Sequence, residues 1–196
     1  LPPHVARFLA AVLAEFRTRH SAIRVQLRES EGGNPLLDLA AGAVDLAIGV
    51  DGDDSLESLL LYRVFTVVVA PPRHRLQGRE QVEVAELRDE PLLITPPGFR
   101  SREQLERACH ADGFEPLVAH ESSSPAALLA LAQAGLGLGV LSDDALSPPQ
   151  ARALLLLRGK PLGDDVRLYM RPGMEAGPAL EAFLAEVRLA ASRERT

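Results

Sequence analysis

The sequence has little of what marks secreted or membrane proteins. It contains one cysteine, Cys109, in 196 residues, so no disulfide can form within the chain. A lone thiol is typical of a reducing compartment, and we expect a cytoplasmic protein. No apolar run reaches the roughly 18 residues that a membrane-spanning helix needs. The first residues lack the basic start and the cleavage site of a signal peptide, so we expect no membrane partner.

Positive charge is also scarce. Lysine and arginine total 21 against 27 aspartates and glutamates, which gives a net charge of −6. Proteins that bind nucleic acids or anionic lipids usually carry a polybasic run, and this chain has none. We therefore expect that the chain alone does not bind DNA.

The sequence contains the same pattern of secondary-structure signals twice. Each copy reads as a strand, a polar turn, a short helix, a glycine and a buried strand, at residues 23–50 and 117–142. Asn34 and Ser124 each stand before a proline, which is typical of a helix N-cap followed by proline at the first helical position. Gly42 and Gly135 stand where a helix ends in a left-handed residue. Two similar units predict two lobes, and α/β lobes bind ligands beyond their strand ends.

The rest of the chain alternates between helical and strand patterns. A first amphipathic helix reaches about residue 20, and Ser101 with Gln104 predicts a capping box for a helix that ends at Ala111 before Gly113. A last amphipathic helix opens at Pro178, before a frayed tail at 192–196. The patterns predict further strands at 23–27, 44–50, 61–70, 91–95, 154–157 and 166–170. No strand precedes the first helix, so we expect that the strand of its βαβ unit lies outside this sequence.

Patterns that would indicate catalysis, a cofactor or a metal fail on their spacing. Gly135, Gly137 and Gly139 follow a helix, whereas a glycine-rich phosphate loop opens one. The five histidines lack the spacing of metal ligands, and no Gly-x-Ser-x-Gly motif is present. The paired aspartates at 53–54, 143–144 and 164–165 are interpreted as solvated turns. Cys109 falls on the apolar side of a helix, which favours a core position over a redox sensor. We expect no enzyme, no cofactor and no metal.

Several segments resemble one known family, the LysR-type transcriptional regulators. Residues 41–49, Ala-Gly-Ala-Val-Asp-Leu-Ala-Ile-Gly, are similar to the family's AGELDLAI segment. Residues 134–141, Ala-Gly-Leu-Gly-Leu-Gly-Val-Leu, resemble its AGLGIALLP, and residues 16–25 resemble FRARHPGVRV. Residues 92–109 resemble the start of the second lobe's first helix. The similarity covers nearly the whole chain in order.

The resemblance implies an α/β fold with two Rossmann-like lobes and a central cleft, as in type 2 periplasmic-binding proteins. Lobe I would comprise residues 1–68 plus 158–196 and lobe II residues 69–157, so the chain would cross twice between them. A helix-turn-helix domain would precede residue 1 in the intact regulator and would provide its DNA binding. The family also implies a homodimer or tetramer, with the first helix and residues 23–28 of one subunit against residues 125–134 and 138–142 of another.

The resemblance and the repeat together predict an effector site in the cleft between the lobes. Family positions give Gly33, Asn34, Val50, Asp51, Gly98, Phe99, Arg100 and Ser101, and the repeat adds Ser122, Ser123 and Ser124. Helix N-termini expose N–H groups that favour a carboxylate or another anion, and Arg100 would clamp such a group through two hydrogen bonds. The alternative remains that Asn34, Ser101 and Ser124 only cap helices and that Arg100 is a solvated surface residue.

The sequence therefore predicts a ligand-sensing regulatory domain whose small-molecule effector controls transcription by the intact protein. A solute-binding protein of a transporter with the same fold is the alternative. The sequence upstream of residue 1 distinguishes them, because a helix-turn-helix indicates a regulator and a secretory signal a transporter. The effector, the target genes and the sign of regulation do not follow from the sequence.

Overall fold

A computed structural model describes residues 3–29, 34–50, 52, 55–146 and 151–194. Its helices are α1 Pro3–Arg19, α2 Pro35–Ala40, α3 Arg100–Ala111, α4 Pro125–Gln133 and α5 Pro178–Glu194. Its strands are β1 Ala47–Gly49, β2 Glu57–Val69, β3 Gln81–Glu83, β4 Leu92–Ile94, β5 Val118–Glu121, β6 Leu138–Ser142, β7 Ala153–Leu157, β8 Lys160–Pro161 and β9 Gly163–Met170. Two predicted site residues, Gly33 and Asp51, lie outside the described residues.

The chain divides into two compact units. Unit 1 comprises Leu1–Arg63 with Asp165–Thr196, and unit 2 comprises Val64–Asp164. The chain thus changes unit after residues 63 and 164, whereas the predicted lobes changed after 68 and 157. Strands β2 and β9 run through these points without interruption, so no turn residue marks them.

In unit 1, α1 packs against α5 through aromatic and ionic contacts. The rings of Phe16 and Phe183 meet edge to face with centroids 5.2 Å apart. Arg19 donates to the buried Glu186 at 2.5 Å. Phe8 and Leu9 on α1 are also buried. The apolar face of α1, the helix that the resemblance places against another subunit, is therefore largely covered within the chain itself.

The predicted strand at 23–27 is not formed. Ile23 and Val25 are half-buried while Arg24 and Gln26 are exposed, so the expected alternation is present. A strand also needs a neighbour for its backbone hydrogen bonds, and no described strand pairs with this segment. Strand β1 does form, shorter than predicted, and pairs antiparallel with β9 through Ala47 opposite Tyr169.

In unit 2, β4 lies between β5 and β6 and runs parallel to both. Strand β6 pairs on its other side with β2, antiparallel, and β7 pairs with β2, β3 and β8. Leu92 and Ile94 face the core beneath α3, whereas Leu93 between them faces the core beneath α4. This alternation is typical of a sheet covered on both faces.

The position of β6 corrects one expectation about the partner surface. All but the last of its residues are buried, because both its edges and both its faces are covered. The strand at 138–142 is therefore a core strand and not a surface for another subunit. No helix in the described part of the chain is both long and apolar enough to cross a membrane.

Candidate functional site

Several predicted site residues gather at one edge of the sheet in unit 2. Ile94 and Glu121 are partners at the ends of the parallel strands β4 and β5. The backbone N–H of Ser122 donates to the carbonyl of Ile94 at 3.1 Å. The loops that follow these strands therefore leave the same edge and lead into α3 and α4. We call Thr95, Gly98–Ser101 and Ser122–Ser124 the strand-end site.

A buried pair of hydroxyls lies at the base of this site. The side-chain oxygens of Thr95 and Ser101 are 3.1 Å apart, and both residues are buried. Helix α3 begins at Arg100 after Phe99, whose side chain makes no capping hydrogen bond. The predicted capping box is therefore wrong, because Ser101 lies two residues after the N-cap position and its hydroxyl bonds Thr95. Gln104, its expected partner, instead accepts a hydrogen bond from the buried Thr66.

The other two short helices are capped as predicted. Asn34 accepts from the N–H of Leu36 at 2.9 Å, and Ser124 accepts from the N–H of Ala127 at 3.4 Å. Both side-chain oxygens are thus already used by their own helices, as the alternative interpretation expected. Asn34 and Val50 belong to unit 1, and Val50 follows β1 directly.

The remaining strand-end residues are accessible. Phe99 has 42% of its surface exposed, and Gly98 before it adopts a positive φ of 93°. That backbone conformation suits glycine and turns the loop towards α3. The hydroxyl of Ser122 accepts from the N–H of Ser124 at 3.1 Å, and Ser123 is exposed.

Arg100, the predicted anion clamp, is bound to an internal carboxylate. Its Nε donates to Asp164 Oδ2 at 3.1 Å and its Nη2 to Asp164 Oδ1 at 2.8 Å. Its Nη1 lies 3.9 Å from Glu103. Arg100 was expected to bind a ligand carboxylate through two hydrogen bonds. Asp164, a residue of the same unit, makes both of these bonds instead.

Arg102 is a charged residue next to the strand-end site, and it was not identified from the sequence. It is 9% exposed, forms ion pairs with Glu106 and Glu121, and donates to the Thr95 carbonyl. Burial alone would lower the pKa of Arg102, but the hydrogen bonds with the two glutamates outweigh it and raise that pKa. Arg102 thus ties α3 to the ends of β4 and β5. The four-residue spacing of Arg102 and Glu106 was the available sequence signal.

The aspartate pairs at 143–144 and 164–165 are not solvated turns. Asp143 follows β6 and accepts from the N–H of Phe65 at 3.0 Å. Burial raises the pKa of Asp143, although the hydrogen bond from Phe65 acts against this. In the pair at 164–165, Asp165 bonds Arg63 at 2.6 Å. The pair at 53–54 lies outside the described residues.

The single thiol is part of the core, as predicted. Cys109 is fully buried, and burial together with nearby acidic side chains raises its pKa to about 12. At neutral pH it is therefore a neutral thiol, whereas a reactive cysteine is a thiolate. Among the described residues, no three His, Cys, Asp or Glu side chains are placed to hold one metal ion.

The decisive comparison is with known families. The family model described as the LysR substrate binding domain matches residues 1–192. The chain belongs to the LysR substrate-binding domain family. The resemblance read from residues 16–25, 41–49 and 134–141 is thereby confirmed. The type 2 periplasmic-binding-protein-like α/β fold that it implied is confirmed as well.

Relatives of this LysR-family domain are named as regulators. The transcriptional regulator TtuA of Agrobacterium vitis is 31% identical over 144 residues, which are 69% of this chain and 46% of TtuA. The RuBisCO operon transcriptional regulator of Allochromatium vinosum is 27% identical over 191 residues, 95% of this chain and 63% of that protein. These relatives are transcriptional regulators and not enzymes, and they do not favour the transporter alternative.

A solved structure supports the fold of the LysR-family domain. The regulatory domain of Synechocystis PCC6803 CcmR, in complex with 2-PG, has a TM-score of 0.72 and 19% identity. The match covers 95% of this chain and 92% of that one. This chain spans about half the length of the curated relatives it matches first.

Proposed function

We propose that this chain is the ligand-sensing regulatory domain of a LysR-type transcriptional regulator and that it binds a small anionic effector at the strand-end site. Its DNA-binding domain belongs, in this proposal, to the part of the regulator that this sequence does not include. The intact protein is a cytoplasmic homodimer or tetramer. Support comes from the relatives, which are about twice as long and are named as helix-turn-helix regulators.

One observation carries the location of the site. The first turn of α3 has no side-chain cap from Phe99, and the buried Thr95–Ser101 hydroxyl pair lies beside it. A helix N-terminus presents N–H groups and a partial positive charge, which favour an anionic ligand group. Helix α4, by contrast, is already capped by Ser124. The strand-end site therefore combines a helix start without a side-chain cap and two hydroxyls that can donate or accept.

The effector acts by its differential affinity for two states of the regulator. A ligand shifts a conformational equilibrium only as far as it binds one state more tightly. In the intact protein, an effector at the strand-end site favours one arrangement of the domain, and this changes DNA binding.

The test is a thermal-shift screen of small carboxylates and phosphorylated acids, followed by calorimetry on two variants. Thr95→Val and Ser101→Ala each remove one hydroxyl and leave the chain otherwise similar. Each is expected to weaken the selected ligand by about fivefold to tenfold, because a lost hydrogen bond is worth roughly 1 kcal/mol.

Thr18→Val is the matched control. Thr18 is exposed on α1 in unit 1 and bonds only its own helix, through the Glu15 carbonyl. It should leave ligand affinity unchanged. A selected ligand that binds Thr95→Val and Ser101→Ala as tightly as the unmodified chain would place the effector elsewhere.

A further inference from the structure

The internal partner of Arg100 has a consequence for which ligands the strand-end site accepts. Asp164 occupies two of the three guanidinium nitrogens, and only 18% of its side chain is exposed. Arg100 itself is 37% exposed, so the pair sits at the surface of unit 2 where a ligand can reach it. A ligand carboxylate that binds Nε and Nη2 of Arg100 must first displace Asp164.

Asp164 is held in place by its own backbone. The carbonyl of Leu162 accepts from the N–H of Thr66 at 2.9 Å, which fixes the preceding residues to β2. At Gly163 there is no room for a side chain, since a Cβ would lie 2.5 Å from the Val64 carbonyl oxygen. A residue anchored this closely does not move aside easily, so its carboxylate stays beside Arg100.

The neighbouring aspartate provides a contrast on the same strand. Asp165 points to different partners, Arg63 at 2.6 Å and Arg167 at 3.0 Å, which belong to unit 1. The two carboxylates are adjacent in sequence, yet only Asp164 contacts Arg100. Removal of either carboxylate charge therefore changes the net charge by the same amount. Only removal of the Asp164 charge takes away the ion-pair partner of Arg100.

We infer that Asp164 is a specificity-determining positioning residue that acts as an internal substitute for a ligand anion on Arg100. It discriminates against simple anions, which would leave the Asp164 carboxylate without its cation. A ligand that also carries a cationic group satisfies Asp164 when its anionic group binds Arg100. Among effectors with an anionic group, the site therefore favours those that also carry a cationic group, as small zwitterions do. This inference rests on the proposed strand-end site.

The test uses inorganic sulfate as the probe, titrated into the 196-residue chain. Binding is followed by NMR through the Arg100 side-chain Nε–H and the backbone amides of residues 100–102. Asp164→Asn should bind sulfate about tenfold more tightly than the unmodified chain, because a charge-assisted competitor has been removed. Asp165→Asn should bind sulfate as the unmodified chain does.

The double variant Arg100→Gln with Asp164→Asn decides whether the gain acts through Arg100. The gain should disappear in it, whereas a gain that persists would mean sulfate binds elsewhere and would overturn the inference. An Asp164→Asn chain no better than the unmodified one would overturn it as well. Asp164→Ala provides a second variant, and a thermal melt of each shows that it is folded.

A second arm tests the ligand class directly. Glycine, a zwitterion, and acetate, its counterpart without the ammonium group, are titrated into the unmodified chain and Asp164→Asn. The ratio of glycine to acetate affinity should fall about tenfold in Asp164→Asn, and an unchanged ratio would contradict the inference. These results are separate from the test of the proposed function. The proposed function fails only if the ligands selected in the screen bind Thr95→Val and Ser101→Ala as tightly as the unmodified chain.

Discussion

At the scale of single residues, two aspartates have pKa values shifted in opposite directions. The hydrogen bond from Arg63 lowers the pKa of Asp165 below its ordinary 3.8, against a smaller effect of burial. Burial raises the pKa of Asp143 above the same ordinary value. A lowered pKa means that the folded state favours the carboxylate, and a raised pKa means that it favours the acid. The two residues should therefore respond oppositely to pH.

Replacement of Asp165 by asparagine should lower the free energy of unfolding at pH 7 by about 0.5–1 kcal/mol. The estimate is small because Arg63 is 63% exposed and its ion pair is screened by water. The stabilisation by Asp165 is fully present above pH 3.8 and is lost as the pH falls through the lower folded pKa. Urea unfolding at pH 7, 5 and 3 measures it, and a deficit that is the same at all three pH values would contradict this assignment.

Asp143→Asn should change stability in the opposite direction from Asp165→Asn. The asparagine carbonyl can still accept from the N–H of Phe65, while the charge that is disfavoured by burial is gone. At pH 7 this variant should be at least as stable as the unmodified chain. Any advantage should vanish as the pH falls through the folded pKa towards 3.8, where Asp143 becomes protonated.

At the scale of elements, the caps and glycines show which local signals were sufficient. Asn34 and Ser124 were predictable as caps because a cap, a proline and an apolar run lie together in sequence. The start of α3 was not, since Ser101 and Gln104 match the sequence pattern of a capping box but lie inside the helix. Their hydroxyl and amide instead bond Thr95 and Thr66, which only the tertiary fold brings near.

The glycines around β6 have separate structural roles. Gly135 ends α4 with a positive φ of 85°. Gly137 has a φ of 154°, and a Cβ there would lie 2.4 Å from the backbone carbonyl oxygen of Pro91. That carbonyl accepts a hydrogen bond from the N–H of Leu138, the first residue of β6. It therefore cannot move away from Gly137 without loss of this hydrogen bond. Close approach of backbone thus explains the glycine that resembled part of a phosphate loop.

Gly137→Ala should accordingly destabilise the chain by about 2–4 kcal/mol, from steric overlap and an unfavourable φ. Gly139→Ala is the matched control two residues further along. A Cβ at Gly139 would meet Val69 and Ala132 at 3.6 and 3.7 Å, which are ordinary contacts. It should change stability by less than about 1 kcal/mol. Equal losses in both variants, measured by urea unfolding, would show that the approach to Pro91 is not the cause.

At the scale of the whole molecule, family and fold class were predictable, but long-range pairings were not. Residues 41–49 follow α2 and include β1, and residues 134–141 follow α4 and include most of the buried strand β6. The pairing of Arg100 with Asp164 joins residues 64 positions apart. Sequence reasoning identified Arg100 as a cation suited to a carboxylate. The sequence alone does not show that Asp164 supplies this carboxylate.

The charge of the whole chain yields the last prediction, that residues 1–196 alone do not bind duplex DNA at physiological salt. The net charge is −6, and several arginines of unit 2 are already paired with carboxylates. Arg75 pairs with Glu90, and Arg79 pairs with Glu86. DNA binding without sequence preference depends on free cationic groups that release counterions from phosphates, and its affinity falls steeply with salt.

Titration of a fluorescent promoter-length duplex with the chain, at about 50 and 150 mM salt, provides the measurement. No binding is expected at tens of micromolar protein, and the proposed full-length regulator would be the positive control. Micromolar, salt-sensitive binding by residues 1–196 would mean that this domain contacts phosphates itself. In that case the proposal that DNA binding belongs to a separate domain of the regulator would be wrong.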